Sequence, residues 1–598
     1  MEYIRLGARR VGWSRPPVNA EPPLRAELFS AEQMDLHGRA LAASHHLLKD
    51  SAPDQLLVRL ASNEQALEGV SSVLSAASKS KHRISPAGEW LLDNFYLIEE
   101  QIRTARRHLP KGYSRELPRL ARGPSAGRPR VYDIALEIVS HGDGRVDTET
   151  LSRFVTAYQT VTPLNLGELW AIPIMLRLAV IENLRRVGVS VAAGWEERNI
   201  ASTWADQMTA VAETDPKSLI LVIADMARSN PPMTSPFIAE LARRLQGRGP
   251  SLALPLTWIE QRLAEMGQTI AQRVQEESQQ QAANQVSVSN SIGSLRILGA
   301  VDWRDFVEDL SVVERTLLDD PGAIYGLMDF ATRDRYRHAA EAIAKRSLKP
   351  ETEVAGQAVA LARAGRAAVE TNASDPRRGH VGFYLIDEGR SELERVMGIT
   401  LSAFEELRRR VSRIPLVLYL GSIAGLTLTV AAALLMRTRH DGAPDESLVP
   451  FAILLLLGAS SLAVGLVNWL AALLVTPHLL PRMDFSAGIP ESSRALVVVP
   501  TMLTSPRGVE GLIAALEVRY VSNRDASLRF ALLTDLIDAN HEVMPDDEAL
   551  IELARTRIEE LNAKYAGQRE GGAPFLLLHR PRRFNPHEGV WMGYERKR

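Results

Sequence analysis

Three polar residues in the last quarter of the sequence fall where short apolar runs stop. Thr501 follows the β-branched run Ala495–Val499, and Asp535 and Asp538 follow the apolar run Arg529–Leu533. A carboxylate at the end of a buried parallel strand can accept hydrogen bonds from a ribose hydroxyl or a base N–H, which holds a nucleotide without contacting its phosphates. The same carboxylates could instead cap the helices that follow, and the sequence leaves both functions open.

A group of cations follows a third apolar run, Phe575–His579. This group consists of Arg580, Arg582 and Arg583. If the run is a strand, the three guanidinium groups lie where a diphosphate could bind. The alternative is that they are ordinary solvated surface groups.

The elements that position these residues form a β-α-β-α-β pattern. The three apolar runs read as strands, with Pro500-Thr501 ending the first and Thr534-Asp535 ending the second. The segments Gly508–Tyr520 and Asp546–Ala566 between them have helical character. This order predicts an open parallel sheet with its binding site at the carboxyl ends of the strands.

Two long uncharged segments precede this α/β region. Residues 414–436 and 448–476 contain no charged side chain, and about 20 apolar residues suffice to cross a bilayer core about 30 Å thick. Both segments are therefore predicted to be transmembrane helices. Arginines at 408–410, 413 and 482 flank the pair, whereas the connecting loop carries acidic residues as well as two arginines. The positive-inside rule then places both ends of the chain in the cytosol.

Composition excludes several classes of function. The chain has 598 residues, with 70 Lys+Arg against 72 Asp+Glu and a net charge of -2, which argues against a general nucleic-acid binder. It has no cysteine, so disulfides, thiol catalysis and thiolate metal sites are excluded. The first residues lack an apolar core, so no cleaved signal peptide is expected.

The sequence predicts a mostly helical region over residues 31–410, preceded by an irregular segment over residues 1–30. Glu89–Arg103 shows apolar residues at helical spacing, and Leu169–Arg186 reads as a buried core helix. Gln272–Asn290 is rich in Gln, Ser and Asn, which is typical of a linker or a solvated helix end. No set of His, Asp and Glu in this region has a convincing metal-ligand spacing, so we assign no metal ligand and no catalytic residue in the chain.

Segments spread along almost the whole chain resemble the amino-terminal part of the cyclic β-1,2-glucan synthases, which are large inner-membrane glycosyltransferases of Gram-negative bacteria. The segments are EWLLDNFYLIEEQI (Glu89–Ile102), KGYSRELPRL (Lys111–Leu120), VTPLNLGELWAIPIMLRLAVIENLRR (Val161–Arg186), NQVSVSNSIGSLR (Asn284–Arg296), MDFATRDRYRH (Met328–His338), HVGFYLID (His380–Asp387), VVVPTML (Val497–Leu503), LLTDLIDA (Leu532–Ala539) and HRPRRFNPHEGVWMGYERKR (His579–Arg598).

The resemblance implies a GT-A-type transferase domain, of which residues 490–598 are an incomplete part, facing the cytosol at the bacterial inner membrane. It implies UDP-glucose as donor, inverting transfer into β-1,2 linkages, and a growing glucan held on the protein. Thr501 and Asp535 match positions where such processive transferases hold the uridine. Lys597 resembles the lysine of a K-x-G element beside the nucleotide. Tyr594 is a candidate for carrying the glucan, and the alternative is a buried structural tyrosine.

The chain departs from the family pattern in its catalytic parts. We find no D-x-D pair for the Mg²⁺ or Mn²⁺ that the family is expected to use, and no general base. The resemblance therefore predicts a portion of a synthase that does not complete glucosyl transfer without its missing remainder or a partner chain. The alternative is a non-catalytic, membrane-anchored helical scaffold or nucleotide-sensing subunit that needs a partner chain.

Overall fold

A computed structural model describes residues 21–48, 55–80, 83–109, 112–371, 375–400, 414–442, 444–475, 479–566 and 572–593. Internal contacts divide the chain into two compact units. The first unit runs to Gly322 and resumes with Tyr336–Ile399, and the second unit comprises Ala323–Arg335 and the described residues after Ile399.

The described part of the first unit is built mainly from helices, as the sequence predicts for residues 31–410; residues 401–410 of that prediction lie outside the described residues. The helices are α1 Ala31–Ser44, α2 Leu56–Lys79, α3 Pro86–Asp93, α4 Phe95–His108, α5 Arg130–His141, α6 Thr148–Gln159, α7 Leu166–Thr214, α8 Leu219–Arg228, α9 Ser235–Leu245, α10 Ala253–Ala264, α11 Ile270–Ala300, α12 Trp303–Leu310, α13 Val312–Leu318, α14 Phe330–Ser347, α15 Glu351–Thr371, α16 Val381–Ile386 and α17 Arg390–Val396; the first residues of α14 belong to the second unit.

Helix α7 forms the centre of the first unit. Its residues Leu169, Leu176 and Ile181 are buried, so the prediction of a core helix is confirmed and the helix is longer than predicted. Arg177 is accommodated in this core because its guanidinium donates to the Gln101 side chain at 3.0 Å and to the Leu298 carbonyl at 2.6 Å.

Two local predictions for the first unit are confirmed only in part. The apolar residues within Glu89–Arg103 are helical, but they belong to two helices, because Asn94 separates α3 from α4 and its side chain donates to the Trp90 carbonyl at 2.9 Å. Gln272–Asn290 is helical and lies inside α11, so the linker alternative is wrong. Most of its first residues are exposed, but Asn284 and Ser287 are buried, and Ser287 accepts a hydrogen bond from Asn183 of α7 at 3.0 Å.

Two helices of the second unit are long and apolar enough to cross a membrane. They are α18, Pro415–His440, and α19, Asp445–Leu474, whose apolar span is Leu448–Leu474. Only 6% of the first span and 11% of the second are buried, which distinguishes them from the core helices of a soluble protein and fits a lipid environment. The Tyr419 hydroxyl donates to the Asn468 side chain at 2.7 Å, which links the two helices to each other.

The α/β region of the second unit contains a parallel three-stranded sheet in the order β1-β2-β3. Its elements are β1 Ala495–Leu503, α20 Pro506–Ser522, β2 Leu528–Leu536, α21 Asp547–Lys564 and β3 Phe575–His579, followed by the antiparallel hairpin of β4 Arg583–Asn585 and β5 Val590–Met592. The third predicted strand is confirmed residue for residue.

The first two strands extend beyond their predicted ends. Pro500 and Thr501 lie inside β1, and Thr534 and Asp535 lie inside β2. Pro500 is tolerated because β1 is an edge strand of this sheet, where a missing N–H leaves no ladder hydrogen bond unmade.

The two crossover helices cover one face of this sheet. Leu516 of α20 and Ile558 of α21 share a hydrophobic core with Phe530, Leu532 and Phe575 of the strands. The opposite face carries Leu496, Val498, Met502 and Leu578, which are 39–53% exposed.

Candidate nucleotide-sugar site

Asp535 and Arg580 form a paired group at the carboxyl end of the sheet. Asp535 is the second-last residue of β2 and is only 3% exposed. The Arg580 guanidinium donates from Nε to one carboxylate oxygen at 2.7 Å and from its terminal nitrogen to the other at 2.5 Å. The Arg580 side chain is 40% exposed, so the pair offers a cation at the surface and a shielded carboxylate behind it.

The strand register explains why this pair forms. Thr534 of β2 lies opposite His579 of β3. The residues that follow them, Asp535 and Arg580, are therefore neighbours across the same end of the sheet. The Arg580 backbone N–H donates to the Thr534 carbonyl at 3.0 Å, which extends the ladder by one residue. A bidentate Arg–carboxylate contact is the strong form of this interaction.

Thr501 and Asp535 point to opposite faces of the sheet. Thr501 pairs with Thr534, and Asp535 pairs with Met502. Side chains alternate along a strand, so Thr501 lies on the helix-covered face with Thr534, whereas Asp535 lies on the other face. The structure therefore brings Asp535 and Arg580 together but does not place Thr501 beside them.

The other predicted residues have different surroundings. Asp538 follows β2 and is exposed. Arg582 is 4% exposed and forms an ion pair with Asp547, while its Nε donates to the Ile537 carbonyl at 2.6 Å. Arg583 begins β4 and is exposed. Lys597 and Tyr594 lie outside the described residues.

Arg582 links the end of β2 to the start of α21, because it contacts both the Ile537 carbonyl and the Asp547 carboxylate. Burial opposes ionisation of Asp547, but the hydrogen bond from Arg582 prevails and keeps the pKa of this carboxyl below its usual range. The Met544 backbone N–H also donates to Asp547 at 2.7 Å. Arg582 thus has a structural partner, which the sequence did not indicate because Asp547 lies 35 residues earlier.

His579, the residue before Arg580, is a titratable group near the site that the sequence patterns do not mark as a ligand contact. Its Nδ1 lies 3.0 Å from the hydroxyl of Thr534, which is fully buried. Burial lowers the pKa of the imidazole, so the neutral ring is favoured at neutral pH. The signal was present in the sequence, since His579 ends the third apolar run immediately before Arg580.

The described residues of the α/β region do not fit a Mg²⁺ or Mn²⁺ site. These ions need several convergent oxygen ligands. The two buried carboxylates at this end of the sheet, Asp535 and Asp547, are each neutralised by an arginine, and Asp538 is exposed.

The fold and this site define a class: a protein with two candidate membrane helices and a parallel α/β region that carries polar and charged groups at the carboxyl ends of its strands. No family model matches the chain. Over 584 residues, or 97% of its length, it is 32% identical to the protein named Cyclic beta-(1,2)-glucan synthase NdvB from Rhizobium meliloti (strain 1021). The match covers 20% of that protein, so the chain spans about one fifth of the length of this curated relative.

This similarity supports the family assignment made from the sequence segments: the chain is related to the cyclic β-1,2-glucan synthases. Together with the apolar helices α18 and α19, it indicates a membrane-associated protein that is related to a glucan synthase.

Proposed function

We propose that this chain is the membrane-anchored, nucleotide-sugar-binding portion of a glycosyltransferase that polymerises glucose from UDP-glucose into cyclic β-1,2-glucan. The observation that carries the proposal is the similarity to a protein named as such a synthase, which extends over 97% of the chain. A match of that extent takes in the α/β region as well as α18 and α19.

In this proposal the carboxyl end of the sheet binds UDP-glucose. Each oxygen of the Asp535 carboxylate has a second lone pair, so it can accept a hydrogen bond from the uridine while it keeps Arg580. The half-exposed guanidinium of Arg580 can donate to a diphosphate oxygen. Asp538, Arg583 and Lys597 remain proposed contacts of the same ligand, and Thr501 remains a proposed contact from the other face of the sheet. The sheet is proposed to be part of a GT-A-type domain.

We further infer that binding and transfer are separable in this chain. Inverting transfer needs a general base for the acceptor hydroxyl and a cation for the departing UDP. The described residues of the α/β region supply no convergent set of free carboxylates for that cation. The 598 residues are therefore expected to bind UDP-glucose and to need further catalytic residues, in a longer synthase or in a partner chain, to elongate a glucan.

The proposal also assigns a location and a product site. The α/β region lies on the cytosolic side of the bacterial inner membrane, where UDP-glucose is made. The nascent glucan is held on the protein, with Tyr594 as the candidate attachment residue.

Calorimetric titration of the detergent-solubilised chain with UDP-glucose tests the binding proposal. We expect saturable binding that Asp535→Asn weakens by about tenfold or more, because the substitution removes the negative charge that pairs with Arg580 and replaces one of the two acceptor oxygens by an NH₂ donor. Glu552→Gln, on the exposed surface of α21, is the matched control and should bind as the wild type does. No saturable binding by the wild type, or equal affinity in Asp535→Asn, would reject the site.

A further inference from the structure

Two histidines and a glutamate of the first unit bring three potential ligand atoms to one point. His37 lies on α1, and Glu137 and His141 lie on α5. Nε2 of His37 is 2.9 Å from Oε2 of Glu137, and Nε2 of His141 is 3.4 Å from the same oxygen. All three ligand atoms lie within 4.8 Å of one another.

The local sequence builds this cluster from both helices. Glu137 and His141 are four residues apart, so they share one face of α5. A second contact between the helices fixes α1 against that face: Nε2 of His45, at the end of α1, lies 3.1 Å from the Asp133 carboxylate. The separation of 100 positions between His37 and Glu137 explains why the spacing of residue types did not indicate a metal site.

A backbone hydrogen bond orients the His141 ring toward the cluster. Its Nδ1 lies 2.7 Å from the backbone carbonyl oxygen of Glu27. A carbonyl oxygen can only accept, so Nδ1 donates there and Nε2 is the ring nitrogen that faces the Glu137 carboxylate. The Nε2 atoms of both histidines and an oxygen of Glu137 are thereby directed toward one point.

The surroundings resemble the support that metal-binding histidines receive. A hydrogen bond from the far ring nitrogen to a carbonyl fixes both tautomer and ring orientation. Phe29 packs against both histidines. Its ring stacks on His141 with ring centroids 3.8 Å apart and contacts His37 edge-on with centroids 5.4 Å apart. The His141 side chain is 9% exposed, and the Glu137 side chain is 32% exposed, so one side of the cluster stays open to water.

We propose that His37, Glu137 and His141 bind a zinc-class divalent transition-metal ion, with water as the fourth ligand. Ligand atoms about 2.1 Å from a tetrahedral ion lie about 3.4 Å apart. The two separations from Glu137 match this spacing to within about half an ångström, and small rotations of the partly exposed His37 and Glu137 side chains would close the remaining gaps. Imidazole ligands favour Zn²⁺, Co²⁺ or Ni²⁺ over Mg²⁺ and Ca²⁺. The ion would join α1 to α5, and this proposal is independent of the nucleotide-sugar site, which lies in the second unit.

Metal titration of the full chain tests the proposal. The detergent-solubilised protein is freed of metal with a chelator and titrated with Zn²⁺ by calorimetry and with Co²⁺ by visible absorption. We expect one tight site, a Co²⁺ spectrum of tetrahedral type, and a zinc-dependent rise in the temperature of unfolding. Glu137→Gln and His141→Ala should each weaken zinc binding by about tenfold or more and abolish that spectrum.

The variants include a fold-preserving change and a matched control. Glu137→Gln keeps the shape and one acceptor oxygen, so its unfolding temperature without metal should stay near that of the wild type even if His141→Ala is unstable. His338→Ala removes a half-exposed histidine that pairs with Glu341 at 2.9 Å but belongs to no three-ligand cluster in the described chain, and it should bind zinc like the wild type. A wild type that binds no zinc, or equal zinc affinity in Glu137→Gln and the wild type, would overturn the proposal and leave two histidines that only hydrogen-bond or ion-pair with Glu137.

Discussion

At the scale of single residues, the register of β2 against β3 determines which candidate site residues contact each other, as Asp535 shows. The sequence indicated both Asp535 and Arg580 as candidate ligand contacts, yet it gave no sign that they contact each other. That contact follows from the opposition of Thr534 and His579 on neighbouring strands, which a single sequence does not specify. For the same reason the sequence did not separate Arg580, which is half-exposed, from Arg582, which is buried against Asp547.

Glu351 of the first unit provides a residue-scale prediction about pH. It is 8% exposed, and burial, together with the nearby carboxylates Glu341 and Glu168, raises its pKa from 4.5 to about 7, although the Leu166 N–H donates to it at 2.9 Å. Between these pH values the folded state holds a proton that the unfolded state has released. The free energy of unfolding therefore falls as the pH rises from 4.5 to 7, by about 3 kcal/mol in total.

The variant Glu351→Gln should remove this pH dependence because glutamine imitates the neutral carboxyl group. We expect Glu351→Gln to match the wild type near pH 5 and to unfold at a higher temperature than the wild type at pH 8. The control is Glu353→Gln, two residues further along α15 with a 42% exposed side chain, which should leave the difference between the two pH values unchanged. A Glu351→Gln variant that gains no stability at pH 8 would contradict the raised pKa.

At the scale of elements, periodicity and apolar runs predicted the type of most segments but not their ends. The strands β1 and β2 run past Pro500 and Thr534 because hydrogen bonds across the sheet outweigh local breaker signals, and Pro500 is acceptable only at an edge. The polar stretch Gln272–Asn290 is helical, and partners on α7 and elsewhere satisfy its buried amide and hydroxyl groups. Such partners are distant in sequence, so composition alone left a linker and a solvated helix end equally open.

The two faces of the sheet should differ in their response to truncation. Leu532 is 1% exposed and lies in the core beneath α20 and α21, whereas Leu578 is 41% exposed on the uncovered face. We expect Leu532→Ala to lower the free energy of unfolding of the α/β region by about 2–5 kcal/mol, and Leu578→Ala by about 1 kcal/mol or less. Native-state hydrogen exchange of β2 amides measures both. Equal losses would mean that the uncovered face is buried against something in solution.

At the scale of the whole molecule, the apolar helices α18 and α19 predict a membrane hairpin whose connecting loop faces away from the cytosol. Cysteine labelling can test this topology without background labelling of native cysteines. The chain has no cysteine, so each introduced cysteine is the sole site for a maleimide reagent. We expect Asp441→Cys, between the two helices, to react with a membrane-impermeant maleimide in intact spheroplasts. Glu552→Cys, on the surface of α21, should react only after permeabilisation. The reverse pattern would refute the cytosolic placement of the α/β region.

The proposed nucleotide-sugar site lies at the carboxyl end of the sheet in the α/β region. Hydrogen–deuterium exchange of the full chain with and without UDP-glucose shows whether the ligand binds there, because protection reports the location of the ligand without a reaction. We expect slower exchange in the peptides that cover Thr534–Asn540 and His579–Arg583, with Asp535→Asn abolishing the effect and Glu552→Gln preserving it. Unchanged exchange in both segments at saturating UDP-glucose, or protection confined to the first unit, would contradict the proposed site.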